Sequence, residues 1–116
     1  MAIIPYTKRV IAPSHVRITW PGLGSGDEGQ PVDLAEFPDR SMCVTGTFDG
    51  AEVAMVGSID EDDTYLEVHD PSGNPLTFTE ARLEQILETT QEIKPTVTGG
   101  SGSTSIKVTL FLRAPR

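Results

Sequence analysis

Histidine, cysteine and clustered carboxylates are the side chains from which small domains build catalytic or metal sites. In this 116-residue chain they are few and scattered. His15 and His69 are the two histidines, and Cys43 is the one cysteine. No His-x-x-x-His or Cys/His spacing links them, so the ligand sets that bind zinc have no counterpart here. A nucleophilic Cys43 needs a nearby base or cation to form the thiolate; without one it reads as a small, partly buried strand residue. Ser41 and Ser58 sit in no Gly-x-Ser-x-Gly context. The loop Gly22-Leu-Gly-Ser-Gly-Asp-Glu-Gly29 lacks the Gly-Lys-Ser/Thr ending of a phosphate loop and precedes no helical pattern, so it reads as a connection. One chemical candidate remains. In Asp60-Glu61-Asp62-Asp63, the residues Asp60, Asp62 and Asp63 offer hard oxygen ligands to calcium, but the glycine and distal glutamate of an EF-hand are missing. The plainer reading is a solvated hairpin tip whose charge blocks edge-to-edge association. The expectation is a non-enzymatic protein with no cofactor and no metal site.

The elements that hold these residues read mostly as strands. His15-Val-Arg-Ile-Thr-Trp20 alternates, with Val16, Ile18 and Trp20 on one face. Ser41–Phe48 and Ala51–Ser58 are strand-like runs separated by Asp49-Gly50, a two-residue type I′ hairpin turn. In the first run Met42, Val44, Gly46 and Phe48 share a face, and Cys43 falls with Thr45 and Thr47. A second hairpin is expected from Val53–Ser58 to Thr64–His69, and Asp70-Pro-Ser-Gly-Asn-Pro75 is a turn by composition. Thr77-x-x-Glu80 has capping-box spacing, and Leu83, Ile86 and Leu87 follow at i, i+3, i+4, which predicts one short helix. Glu92–Thr98 reads as a strand that Pro95 confines to an edge or a bulge. In the closing strand, Ser105–Arg113, the residues Ile106, Val108, Leu110 and Leu112 alternate without a break. Residues 1–14, with two prolines and no period, read as an extended arm. The fold expected is mainly β: an antiparallel β-sandwich with one short helix and an extended N-terminal arm. It divides into the arm at 1–14 and a single sandwich domain at 15–116.

Composition narrows the function further. A chain of this length buries roughly 60–70% of its unfolded surface and needs no disulfide or metal staple. The formal charge is −8, from 17 acidic and 9 basic side chains, which argues against nucleic acid and anionic membranes as partners. No apolar run approaches the ~18 residues that span a bilayer, and no secretory leader is visible at the N-terminus. The charge is unevenly spread. Residues 1–26 carry Lys8, Arg9 and Arg17 and no acid, whereas residues 27–92 hold all 17 acidic groups against Arg40 and Arg82. The last stretch is basic again, with Lys94, Lys107, Arg113 and Arg116. If both ends lie on one side of the sandwich, that side suits an acidic partner.

From Val44-Thr-Gly-Thr-Phe48 onward, the order of motifs resembles the capsid decoration, or cement, proteins of tailed bacteriophages. Gly57-Ser58 opens an acidic hairpin, followed by Asp70-Pro-Ser-Gly-Asn-Pro-Leu-Thr-Phe-Thr79 and Leu83-Glu-Gln-Ile-Leu-Glu88. Ile93-x-Pro-x-Val-Thr-Gly-Gly100 and Thr104-Ser-Ile-Lys-Val-Thr-Leu-Phe-Leu-Arg113 complete the series, covering roughly the C-terminal two-thirds of the chain. Two departures stand out: the hairpin Ser58–Tyr65 has no turn glycine and carries Tyr65 where similar sequences have tryptophan, and Lys94 replaces a common arginine. The resemblance implies a virion structural protein, synthesised in the host cytoplasm, that binds the outer surface of the assembled capsid and stabilises it. Its implied partners are the major capsid protein and further copies of itself, as in a trimer at a symmetry axis. The arm supplies the candidate contacts: Ile3, Ile4, Tyr6, Val10 and Ile11 as apolar area, Lys8 and Arg9 as charge. Two other readings stand beside it. A tail or head–tail joining protein has similar physics. A carbohydrate-binding sandwich of discoidin type needs an exposed aromatic platform, for which Tyr6, Trp20 and Tyr65 are the candidates.

Overall fold

The structure is a computed structural model that describes residues 2–33, 36–59 and 64–114. Its described residues form two packed sheets, a β-sandwich, and contain no helix. One sheet is five-stranded, in the order β10 (Arg82–Ile86), β6 (Asp39–Thr47), β12 (Ser105–Arg113), β3 (His15–Leu23), β2 (Thr7–Ala12). Every pairing in it is antiparallel. The alternating run of β12 lies at its centre, and Ile106, Val108, Leu110 and Leu112 are fully buried. Beside it Val16, Ile18 and Trp20 of β3 point inward. The register of β3 against β12 slips after Trp20, so Leu23 faces the core as well and Pro21 falls in the irregular stretch, where its missing N–H costs no ladder bond.

The second sheet is built around β7 (Ala51–Ser58) and β11 (Glu92–Gly99), which pair along their whole length. Two-residue strands complete it: β1 (Ile3–Ile4), β4 (Glu28–Gly29) and β5 (Val32–Asp33) on the β11 side, β8 (Leu66–Glu67) and β9 (Thr77–Phe78) on the β7 side. The β1–β4 contact is parallel, the one exception to an otherwise antiparallel pattern among the described residues. Pro95 therefore sits in a central strand rather than at an edge. The Val97 N–H donates to the Asp27 carbonyl, so the Pro95 nitrogen, two residues away, faces the same side. On that side β5 pairs with Glu92 and Ile93 and β4 with Thr96, which leaves Pro95 in the gap between them. Gly29 closes over this gap. A Cβ there would lie 2.5 Å from Trp20 Nε1 and 2.6 Å from Pro95 Cδ, so only glycine fits.

Three expectations are corrected. The helix expected over Leu83–Leu87 is the edge strand β10, paired with β6 from Arg82↔Val44 to Ile86↔Arg40. Two turns of isolated helix are marginal in water, and here the segment finds a strand edge to pair with. Leu83 and Leu87 stay exposed and Ile86 alone of the stripe is buried. Arg82 and Glu84, two apart on one face as in a strand, pair at 2.5 Å. Next, the Asp49-Gly50 turn has the positive φ values of type I′, 47° and 86°, and its closing bond from Ala51 N–H to Phe48 O is 2.9 Å. It does not join paired strands, because β6 belongs to the five-stranded sheet and β7 to the other. Lastly, residues 2–12 are extended but paired: Ile3–Ile4 with β4, and Thr7–Ala12 with β3 as an edge strand.

Candidate interaction surfaces

The contact residues expected in the arm divide between three environments. Tyr6 turns inward, half-buried, with its ring edge-on to Trp20 at 6.2 Å between centroids. Together with Lys8 it lines a cleft of about 200 Å³ between the sheets, whose other walls include Val32, Asp33, Phe37 and Leu112. Ile4 packs against the core, whereas Ile3 is largely exposed. Arg9, Val10 and Ile11 stand in solvent on β2, with Val10 63% and Ile11 43% exposed. A bulge between Val10 and Ala12 leaves Ile11 out of the ladder. β2 meets no further strand among the described residues and is the longest edge of either sheet.

The sheets' outer faces differ in charge. On the five-stranded sheet one row reads Gln85, Ser41, Phe111, Arg17, Arg9 across the strands, and its neighbours carry Lys107, Arg113 and His15. Asp39, ion-paired with Arg113, is the acid of this face. Phe111 lies at the middle, 43% exposed, with its ring 5.6 Å from that of His15. The face of the seven-stranded sheet carries Glu28, Asp33, Glu52, Glu67 and Glu92 around the half-buried Ala54 and Val56. Lys94 is the cation there. It pairs with Glu28 at 3.2 Å and lies over the Tyr65 ring at 4.3 Å, while the Tyr65 hydroxyl donates to Glu92 at 2.6 Å. Arg9, Arg17, Lys107 and Arg113, drawn from both ends of the chain, thus share one face of the sandwich, because β2, β3 and β12 are neighbours in one sheet.

The remaining chemical candidates are not brought together. His15 and Cys43 lie on the outer face of the five-stranded sheet, in different strands that β12 separates. His69 sits at the far side, where its Nδ1 is 2.6 Å from Glu88 Oε2 and its backbone N–H donates to Glu88 Oε1. Partial burial pushes the Glu88 carboxyl up, but the His69 hydrogen bonds outweigh it and hold the group below its ordinary range. Asp70, next in sequence, closes the expected turn by accepting the N–H groups of Ser72 and Asn74, which also lowers its pKa. Asp60, Asp62 and Asp63 lie outside the described residues. Of the three aromatic platform candidates, Trp20 is wholly buried and donates its Nε1–H to the Gln30 carbonyl.

One functional-looking group escaped the sequence reading. Arg40 is fully buried at the start of β6. Its guanidinium donates to the Phe37 carbonyl at 2.7 Å, to Thr90 Oγ1 at 3.0 Å and to the Thr90 carbonyl at 2.5 Å. Burial lowers its pKa. These bonds tie the first residues of β6 to the segment that leads into β11, a structural rather than chemical use of the charge. Its parity was the available signal: Arg40, Met42 and Val44 alternate on the inward face.

No protein-family model matches the chain, and no curated protein sequence matches it. Among solved structures it is similar in fold to YomS, an SPBc2 prophage-derived protein, with a TM-score of 0.60. The alignment covers 90% of this chain and 98% of that one at 13% sequence identity.

Proposed function

We propose that this chain is a bacteriophage virion structural protein that attaches to the outside of the assembled capsid and stabilises it by bridging shell subunits. The observation that carries this reading is the β2 edge, six residues long, unpaired on its outer side among the described residues and fringed by exposed Val10 and Ile11. An extended shell segment that adds to this edge gains main-chain hydrogen bonds and buries the two apolar side chains. Lys8 and Arg9 on the same strand steer it toward an acidic shell. The motif order of the C-terminal two-thirds and the fold shared with a prophage-derived protein support the phage assignment.

Cosedimentation of the purified protein with empty capsids tests the reading, followed by imaging of where the added density lies. Val10→Asp with Ile11→Asp changes exposed positions only, so the fold is expected to stand while shell binding weakens by about tenfold or more. Saturation of capsids with unchanged affinity by this variant, or association of the wild type with tails and not shells, rejects the assignment.

A further inference from the structure

We propose that the two outer faces of the sandwich form a complementary pair, through which copies of this chain stack with the basic face of one on the acidic face of the next. Stacking uses the sheet faces and shell binding the β2 edge; the two share Arg9, so self-association and shell binding are read separately.

Arg9 and Arg17 are direct cross-strand partners on the basic face. Like charges directly opposite one another disfavour a sheet, so this pair costs stability in an isolated copy. The basic face gathers Arg9, Arg17, Lys107 and Arg113 in a molecule whose net charge is −8. The other side of the same sandwich carries an acidic surface. There Glu52, Glu67 and Glu92 lie around the half-buried Ala54 and Val56, with Lys94 beside Val56 and paired to Glu28, as the cations of the first face lie around the half-exposed Phe111 with Asp39 paired to Arg113. Placing Phe111 on Ala54 and Val56 buries apolar surface at the centre and leaves opposite charges around it, the arrangement of stable interfaces. A standard interface takes about 800 Å² from each partner, and the chain's 6258 Å² of accessible surface accommodates one on each side. The contact uses different surfaces on its two members and so is heterologous. With the faces on opposite sides of the sandwich it does not close on itself; it propagates as a stack.

Sedimentation equilibrium of the full chain at about 20 mM and about 500 mM salt reads this directly, because exposed ion pairs weaken with ionic strength. The wild type is expected to show an open series of oligomers at low salt, with association roughly tenfold weaker at high salt. Two variants carry the decisive test. Arg9→Glu with Arg17→Glu reverses the net charge of the basic face, and Glu52→Lys with Glu67→Lys cancels that of the acidic face, leaving three carboxylates against three lysines. Each alone is expected to be monomeric, and an equimolar mixture is expected to associate again. Circular dichroism and denaturation confirm the fold of each, and Arg17→Glu alone serves if a double variant fails to fold. A wild type that stays monomeric at millimolar concentration in low salt overturns the proposal. So does a closed trimer of fixed stoichiometry, or association that persists unchanged in both variants. Loss of shell binding by the arginine variant with no self-association in the wild type assigns the basic face to the shell and overturns stacking, while leaving the decoration reading in place.

Discussion

The two sheets of this sandwich reach the same buried core by different means. In the five-stranded sheet, β3, β6 and β12 each run nine residues, and long alternating patterns place the apolar side chains inward. In the seven-stranded sheet only β7 and β11 are long, and five two-residue strands fill in around them. Its order rests on particular side chains instead. The Arg40 guanidinium reaches it from β6, Gly29 fits between Trp20 and Pro95, and the Glu88 carboxylate holds the His69 turn. A long ladder spreads its order over many equivalent contacts, whereas a clasp concentrates local order in one side chain.

The contrast can be broken at its strongest point first. Leu110→Ala removes a fully buried side chain from the central strand of the five-stranded sheet and is expected to cost about 3–4 kcal/mol by denaturant unfolding. Two-state unfolding with an unchanged m-value is expected, because the ladder on both sides of β12 remains. Arg40→Met keeps much of the volume but leaves the Phe37 and Thr90 carbonyls without their donor. It is expected to cost about 3 kcal/mol, and hydrogen exchange should rise first around residues 88–92 rather than across β12. Uniform loss of protection in both sheets would show that the two are ordered in the same way.

Glu88→Gln sharpens the comparison with the smallest effect. The Glu88 side chain is 36% exposed, so after solvent screening its loss is expected to cost about 1 kcal/mol at neutral pH. Its folded pKa lies below the ordinary value of 4.5, so the wild type holds this stabilisation above about pH 4.5 and loses it as pH falls through the folded value. Stability curves of wild type and variant are therefore expected to converge below that point. A gap that stays constant into strong acid would show that the carboxylate charge plays no part.

Much of the five-stranded sheet was legible residue by residue. Val16, Ile18 and Trp20, and Ile106 to Leu112, alternate plainly, and burial follows that alternation. The strands of two residues were not legible, because a period needs more than one repeat to be seen. The Leu83–Leu87 stripe misled for a related reason: i, i+3, i+4 spacing in a short segment fits a helix, yet the free edge of β6 offered backbone pairing that no local pattern reveals. The Asp49-Gly50 turn was read correctly as a conformation and wrongly as a hairpin, since turn chemistry sets local φ and ψ but not the sheet each strand joins. The expected contact residues Lys8, Arg9, Val10 and Ile11 are neighbours in sequence and lie together on β2. Their edge position and the arginine pair Arg9–Arg17 depend on β3 as neighbour.

The amino-acid sequence by itself determined which faces are apolar, where the chain turns and how its charge is distributed along its length. These are properties of neighbours in sequence, fixed by side-chain alternation, by the φ preferences of glycine and proline, and by composition. Only the tertiary structure decided that Arg9, Arg17, Lys107 and Arg113 come together on one face and Glu28, Asp33, Glu52, Glu67 and Glu92 on the other. That outcome depends on strand order. Hydrogen-bonded ladders accept any partner with a free edge, and the competition is settled by burial of the whole core rather than by any one segment.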